Sequence, residues 1–215
     1  GIPATVFVAP GFSEGKTMWN DQVIEAVRGF TGAELNLADI GLGVRALGGG
    51  AERYDALMAL LRDVKYLEPA ARNEAVAIIS ERCGYRAEEG PMLTEKEIRT
   101  LHRRGICLGA HTVNHPILSR TDTETARQEI EGSKSALERI IDAPVTLFAY
   151  PNGKPGEDYT ARDVALTEAA GFDFAFSTHG GLATGDAPRF ELPRFGLWSQ
   201  HPLRYGVQIS RRFAA

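Results

Sequence analysis

Two imidazoles, His111 and His115, stand four residues apart in the stretch His111-Thr112-Val113-Asn114-His115. Where the chain between such a pair is helical or tightly curled, one turn brings side chains i and i+4 together, and the two can share a cation. Neutral imidazole suits zinc and its neighbours in the first transition row. A catalytic site of that kind commonly adds a third protein ligand and a water. Two histidines are therefore an incomplete metal site, and the same spacing also suits two ordinary surface or capping histidines. Of the remaining histidines, His179 and His201 fall in loops, where each is either a proton donor or a bystander. His102, followed by Arg103 and Arg104, suits the C-terminal end of a helix dipole.

The elements that must hold these residues follow from local pattern. Four short runs rich in β-branched and aromatic residues read as buried strands: Ala4 to Ala9, Ile106 to Ala110, Val145 to Tyr150 and Phe172 to Ser177. Between them lie helical patterns. The clearest is Asp122 to Ile141, with Thr121 and Glu124 as a capping box and Ala126, Ile130, Leu137, Ile140 and Ile141 on one face. Others run from Thr94 to Arg104, stopped by Gly105, and from Ala161 to Ala170, stopped by Gly171. Strands alternating with helices imply parallel pairing and an α/β fold, with a barrel or a doubly wound sheet both open. His111 then sits just past the C-terminal end of its strand, where ligands and catalytic groups collect in such folds.

From Leu35 to Gly90 the alternation stops, and two helical patterns, Glu52 to Val64 and Pro69 to Cys83, appear without a convincing strand. The stretch reads as a helical insertion over residues 35–90. Gly48-Gly49-Gly50 reads as a linker rather than a phosphate loop, since no Lys-Ser/Thr follows and no strand precedes. Trp19, Asn20 and Asp21 could line a groove, although Asn20 or Asp21 as a helix N-cap explains their polarity.

With 215 residues and 43% hydrophobic side chains, the chain can bury one sizeable core, so a single domain over 1–215 is expected. A formal net charge of −4 gives no basic footprint, which argues against nucleic acid as a partner. No apolar stretch reaches the length of a transmembrane helix. Cys83 and Cys107 sit in unlike contexts. The second, inside Gly105-Ile106-Cys107-Leu108-Gly109, reads as a buried free thiol, and no disulfide is assigned.

The string Leu108-Gly109-Ala110-His111-Thr112-Val113-Asn114-His115-Pro116 resembles the second motif of the polysaccharide deacetylases, the NodB-like carbohydrate esterase family four. Phe148-Ala149-Tyr150-Pro151-Asn152-Gly153 is similar to the third motif, whose Pro-aromatic-Gly turn walls the substrate groove. The opening Gly1-Ile2-Pro3-Ala4-Thr5-Val6-Phe7-Val8 resembles the strand after the first motif. These matches come in family order across almost the whole chain.

The resemblance implies a distorted (β/α) barrel and removal of acetyl groups from N- or O-acetylated sugars of a polysaccharide or oligosaccharide. It implies a divalent metal, zinc first among the choices, on His111 and His115, with Thr112 bracing the loop. A backbone N–H at Asn152 would face the oxyanion, and Tyr150, Pro151 and Gly153 would line the substrate groove. The family's first motif, a Thr-Phe-Asp-Asp-Gly string that carries the base and the third metal ligand, has no match here. It is expected upstream of Gly1 together with any targeting segment, which makes the barrel N-terminally incomplete. The third motif's usual arginine is missing too. Arg194, in Leu192-Pro193-Arg194-Phe195, is the candidate to orient a carboxylate in its place, or else an arginine on a solvated edge. The C-terminal Leu-x-x-His that supplies a general acid has no recognisable counterpart, which leaves His179 as candidate. Trp198 either stacks on a sugar or covers core. Two other outcomes remain: a non-catalytic carbohydrate-binding relative, or a hydrolase of amides or imides on the same fold.

Overall fold

A computed structural model describes residues 3–86, 92–194, 196 and 201–213. The chain divides into two compact units, Gly1–Pro10 with Glu97–Ala215, and Gly11–Lys96. In chain order the elements are β1 (Thr5–Val8), α1 (Trp19–Gly29), β2 (Glu34–Leu37), β3 (Gly43–Ala46), α2 (Gly50–Lys65), α3 (Pro69–Arg82), α4 (Glu95–Arg103), β4 (Cys107–Ala110), α5 (Thr123–Ile141), β5 (Leu147–Ala149), α6 (Ala161–Ala169), β6 (Phe174–Phe176) and α7 (Pro202–Phe213). No described helix is long and apolar enough to cross a membrane.

The first unit is built on a four-stranded parallel sheet in the order β1-β4-β5-β6. Parallel neighbours need a crossover, and α5 and α6 supply those between β4, β5 and β6. The face of α5 read from its periodicity is the one it buries, with Ala126, Ile130, Leu137 and Ile140 all inaccessible to solvent or nearly so. Phe148 of β5 packs on Phe172 with ring centroids 5.2 Å apart. Each strand lies within its expected run, and the α/β class follows the alternation. Beyond β6 the chain turns back along the sheet, where Leu192 pairs with Phe176 and accepts from the Ser177 N–H at 2.9 Å.

Two local expectations are corrected here. The cap of α5 is Asp122, whose carboxylate accepts the Thr125 N–H at 2.9 Å, while the Thr121 hydroxyl donates to the Leu118 carbonyl. Asp is a stronger N-cap than Thr, and it stands one residue closer to the first turn. Cys107 is exposed rather than buried, because it opens β4 at the end of the sheet before cover begins.

The second unit has its own core, in which Val23, Val27, Leu37, Leu47, Leu60, Val64 and Ile79 are almost wholly buried. It is larger than the helical stretch read over 35–90, and it is not purely helical. β2 and β3 pair antiparallel from Glu34↔Ala46 to Leu37↔Gly43. The alternation Glu34-Leu35-Asn36-Leu37 buries its two leucines, but four residues give a weak period-2 signal. The turn between the strands uses Gly41 at φ +77°, a conformation costly to other residues.

A strand therefore does precede Gly48-Gly49-Gly50, contrary to the sequence reading. The run nevertheless starts α2, and the Glu52 carboxylate folds back to accept the Gly49 N–H at 3.2 Å, placing negative charge where a phosphate would sit. Neither Asn20 nor Asp21 caps α1. Helix geometry begins at Trp19 after Met18, and the Trp19 indole lies beneath the buried Arg72 guanidinium, 5.4 Å from its ring centre.

Candidate active site

Four loops leave the C-terminal edge of the parallel sheet, after β1, β4, β5 and β6. The ladder extends into two of them: the His111 N–H donates to the Val8 carbonyl at 3.0 Å, and the Tyr150 N–H donates to Phe176 at 3.1 Å. The first residue past β4 is thus held by the sheet itself.

His111 and His115 come together at that edge, edge to face, with ring centroids 4.7 Å apart. The His111 Nδ1 lies 2.6 Å from the Ala149 carbonyl oxygen, which can only accept, so Nδ1 carries the proton and Nε2 presents its lone pair. Burial, reinforced by the neighbouring His115 and opposed by the Ala149 carbonyl, pushes the His111 imidazole down to about 3. It is neutral across the physiological range. A neutral ring, its Nδ1–H fixed on a backbone carbonyl, is how a protein orients an imidazole that ligates a metal.

The loop between the two histidines is strained. Thr112 has φ +60°, where a β-branched residue is a marked outlier, and His115 has φ +54°. Thr112 holds the strain in place: fully buried, it donates from Oγ1 to the His111 carbonyl and accepts the His115 N–H at 3.1 Å. The loop's outer arm is tied to α5, since the Glu129 carboxylate takes both the Asn114 N–H and side-chain amide at 2.8 Å. Its carbonyl accepts from Val113 at 3.1 Å.

Phe7 of β1 forms the floor beside His111, with ring centroids 6.5 Å apart, and packs on Phe176 at 5.4 Å. It can do so because Gly109 lacks a side chain: a Cβ there would lie 2.4 Å from the Phe7 ring. Over the same ring, 5.7 Å from its centre, lies the guanidinium of Arg194, whose Nε donates to the Ser177 carbonyl at 2.8 Å. Burial pulls its pKa down, and among the described residues no carboxylate pairs with it. Ser177, wholly buried, is hydrogen-bonded to Nδ1 of the exposed His179.

After β5 the chain makes a tight turn. Asn152 and Gly153 take φ +58° and +80°, and the Gly153 and Asn152 carbonyls each accept from Thr178, by its N–H and its hydroxyl, at 2.7 Å. Asn152 is exposed, and its own N–H has no acceptor among the described residues. Gly153 cannot be enlarged, since a Cβ would come within 3.0 Å of Thr178.

These features can be compared with known proteins. The family model described as Polysaccharide deacetylase matches residues 64–175, slightly more than half of the chain. The chain belongs to the polysaccharide deacetylase family. It is 24% identical over 102 residues to the Bacillus subtilis (strain 168) protein "Putative polysaccharide deacetylase YxkH", a match covering 47% of this chain and 35% of that relative. The chain thus matches only about a third of that relative's length. Streptococcus pyogenes deacetylase PplD, solved in complex with acetate, superposes with a TM-score of 0.51 at 16% identity, covering 96% of this chain and 94% of that one. That likeness shows the fold. The polysaccharide deacetylase BC0361 of Bacillus cereus is 19% identical over 64% of this chain and 47% of its own, with a TM-score of 0.47.

Within this deacetylase-family chain, the sheet edge gathers His111, His115, Arg194 and, through Ser177, His179. Asn152 and Gly153 stand on the adjoining loop. Thr112, the brace, and Tyr150 and Pro151, read as lining the groove, are all buried. Thr112 is sealed inside the histidine loop. Tyr150 is fully buried, stacks on Tyr159 at 3.9 Å and 9°, and donates its hydroxyl to the Phe190 carbonyl at 3.0 Å. These residues are packed into the walls of the loops that carry them. Trp198 lies outside the described residues.

Among the described residues, no group of three or more His, Cys, Asp and Glu side chains is arranged to hold a metal ion. The donor set present therefore fits two positions of a metal site. Sequence reasoning missed Phe7, Glu129 and Ser177. Glu129 is an ordinary polar position on an amphipathic helix, and only Gly109, two residues before a candidate ligand, hinted at a large neighbour such as Phe7.

Proposed function

We propose that this chain carries the imidazole side of a metal-dependent active site that removes acetyl groups from N- or O-acetylated sugars of a polysaccharide. One observation carries the reading. His111 is neutral, presents Nε2, and faces His115 at 4.7 Å on a loop kept in a strained conformation by Thr112. Such strain persists only where the surroundings over-determine it, and it concentrates at functional sites.

His111 and His115 would hold a divalent ion, zinc in the first instance. A bound ion there would supply Lewis acidity and a water of lowered pKa. The protein's own residues supply the rest. The Asn152 N–H, at an exposed turn locked by Thr178, would donate to a developing oxyanion. Arg194, desolvated over Phe7 and lacking a carboxylate among the described residues, suits a carboxylate such as the catalytic base that the resemblance implies. His179 is tethered through Nδ1 to Ser177 and is the candidate to carry a proton to the leaving amine or alkoxide.

The test is acetate release from acetylated chito-oligosaccharides by the protein, with zinc binding followed by calorimetry. H111Q and H115Q are each expected to lose both. An active, metal-independent protein, or one that cleaves only small amides, would overturn the reading.

A further inference from the structure

The loop following β6 borders an open cavity of about 530 Å³ beside the candidate active site. That size falls within the roughly 300–1,000 Å³ typical of small-molecule sites. Its lining includes Pro155, His179, Leu182, Thr184, Asp186 and Glu191. His179 joins it to the site already described, because its Nδ1 is bonded to Ser177 and its carbonyl accepts the Arg194 N–H at 3.2 Å. The mechanism proposed above uses none of the cavity's acidic groups.

The chemistry of the lining is one-sided. It has two carboxylates, an imidazole and a hydroxyl among apolar surfaces, and no lysine or arginine among the described residues. Three cations adjoin the lining in sequence, and each is turned onto other groups. Arg194 lies over the Phe7 ring and donates from Nε to the Ser177 carbonyl. Lys154 pairs with Glu157 at 3.3 Å, and Arg189 lies over the Phe174 ring at 5.1 Å while donating to the Asp173 carbonyl.

Glu191 is also pre-positioned. One of its oxygens accepts the Tyr159 hydroxyl at 3.0 Å, and its N–H donates to the Pro188 carbonyl at 3.0 Å. Tyr159 is buried and stacked flat on Tyr150, which is anchored in turn on Phe190. The second Glu191 oxygen is left for the cavity. A buried aromatic pair that fixes a carboxylate at a cavity wall lowers the ordering cost of binding a cation there.

We propose that this cavity is a subsite for a neighbouring unit of the sugar chain, and that Glu191 and Asp186 select a unit carrying a free ammonium group. This rests on the deacetylase reading and deepens it: the ligand is a partly deacetylated amino-sugar chain, whose amines are the product of the same reaction. Uronic or sulfated chains would be repelled by the same two carboxylates.

Calorimetric titration of the chain with a glucosamine tetramer and with an N-acetylglucosamine tetramer tests it, at about pH 6, below the range of α-amines. The glucosamine tetramer is expected to bind roughly fivefold tighter, the worth of partly exposed ion pairs. E191Q, whose amide oxygen still accepts from Tyr159, and D186N, in an exposed loop, should each remove most of that preference. H111Q should keep it. Equal affinities for the two tetramers, or a preference unchanged in both carboxylate variants or lost in H111Q, would overturn the subsite. Acetate release without the preference removes the subsite and leaves the function standing. Preference without acetate release does the reverse.

Discussion

The two units use their polar residues and their unusual backbone in opposite ways. In the helical unit the described positive-φ residues are glycines, Gly15, Gly41, Gly43 and Gly84, for which the conformation is cheap. Its arginines serve its own framework. Arg53 alone bonds the carbonyls of Val27, Phe30 and Leu47 at 2.6 to 2.8 Å, closing the end of α1. In the sheet unit, by contrast, Thr112, His115, Asp142 and Asn152 all take positive φ without being glycine, and three of the four stand at the sheet's C-terminal edge. There Arg194 is desolvated without a carboxylate among the described residues. One unit leaves its left-handed positions to glycine and turns Arg53 onto its own carbonyls. The other places non-glycine residues in that conformation, and a desolvated guanidinium, where chemistry is proposed.

The contrast is broken most directly by exchanging the roles. H111Q or H115Q is expected to lower acetate release by more than about 100-fold, since loss of a ligand should exceed the 10- to 100-fold typical of losing its outer partner. R53M should instead cost about 2 kcal/mol of stability, because three carbonyls lose their donor, and leave the activity of the folded fraction unchanged. Denaturant melts beside acetate assays separate the two. A mainly structural H111Q, or an R53M that abolishes turnover, would erase the distinction.

The pH dependence follows from the same imidazole. His111 sits at about 3 in the folded chain and near its ordinary 6.5 when unfolded. Between those values the unfolded chain binds a proton that the folded one refuses. The stability is therefore complete above about 6.5 and is lost as pH falls toward 3. The melting temperature of the wild type should drop more steeply over this window than that of H111Q. Parallel curves would mean that the ring is not held neutral.

Much of the sheet unit was legible because its signals are local. Four β-rich runs bounded by glycine or proline, and the period of α5, suffice to place His111 at a strand end. The histidine pair was visible as spacing, and its family context gave it meaning. What stayed hidden depends on contacts far apart in sequence. Glu129 reaches Asn114 across fifteen residues, Phe7 meets Gly109 across two strands, and Arg194 arrives only because the chain turns back along β6. The β2-β3 hairpin was missed for a different reason. Its strands are only four residues long, too short for a clear period-2 signal.

Within the strained loop, T112V keeps the β-branched shape and removes the hydroxyl. It should cost about 1 to 2 kcal/mol, the loss of two buried hydrogen bonds, and lower acetate release as the histidines lose their fixed spacing. T112S should restore both. A T112V protein of unchanged stability and activity would show that the positive φ is held by something other than this hydroxyl.

The smallest effects should come from the left-handed positions, and they sharpen the comparison most finely. G41A in the helical unit places a Cβ at φ +77° in open space, so its penalty is conformational alone, about 1 kcal/mol. Asn152, at φ +58°, is a residue type that tolerates this region, and N152G should change stability by only a few tenths of a kcal/mol. The two substitutions run in opposite chemical directions through one backbone conformation. If Asn152 acts through its backbone N–H, N152G leaves acetate release nearly intact, whereas N152P, which lacks that N–H and cannot adopt the positive φ, abolishes it. An N152G enzyme as impaired as N152P would move the role from the backbone to the side-chain amide.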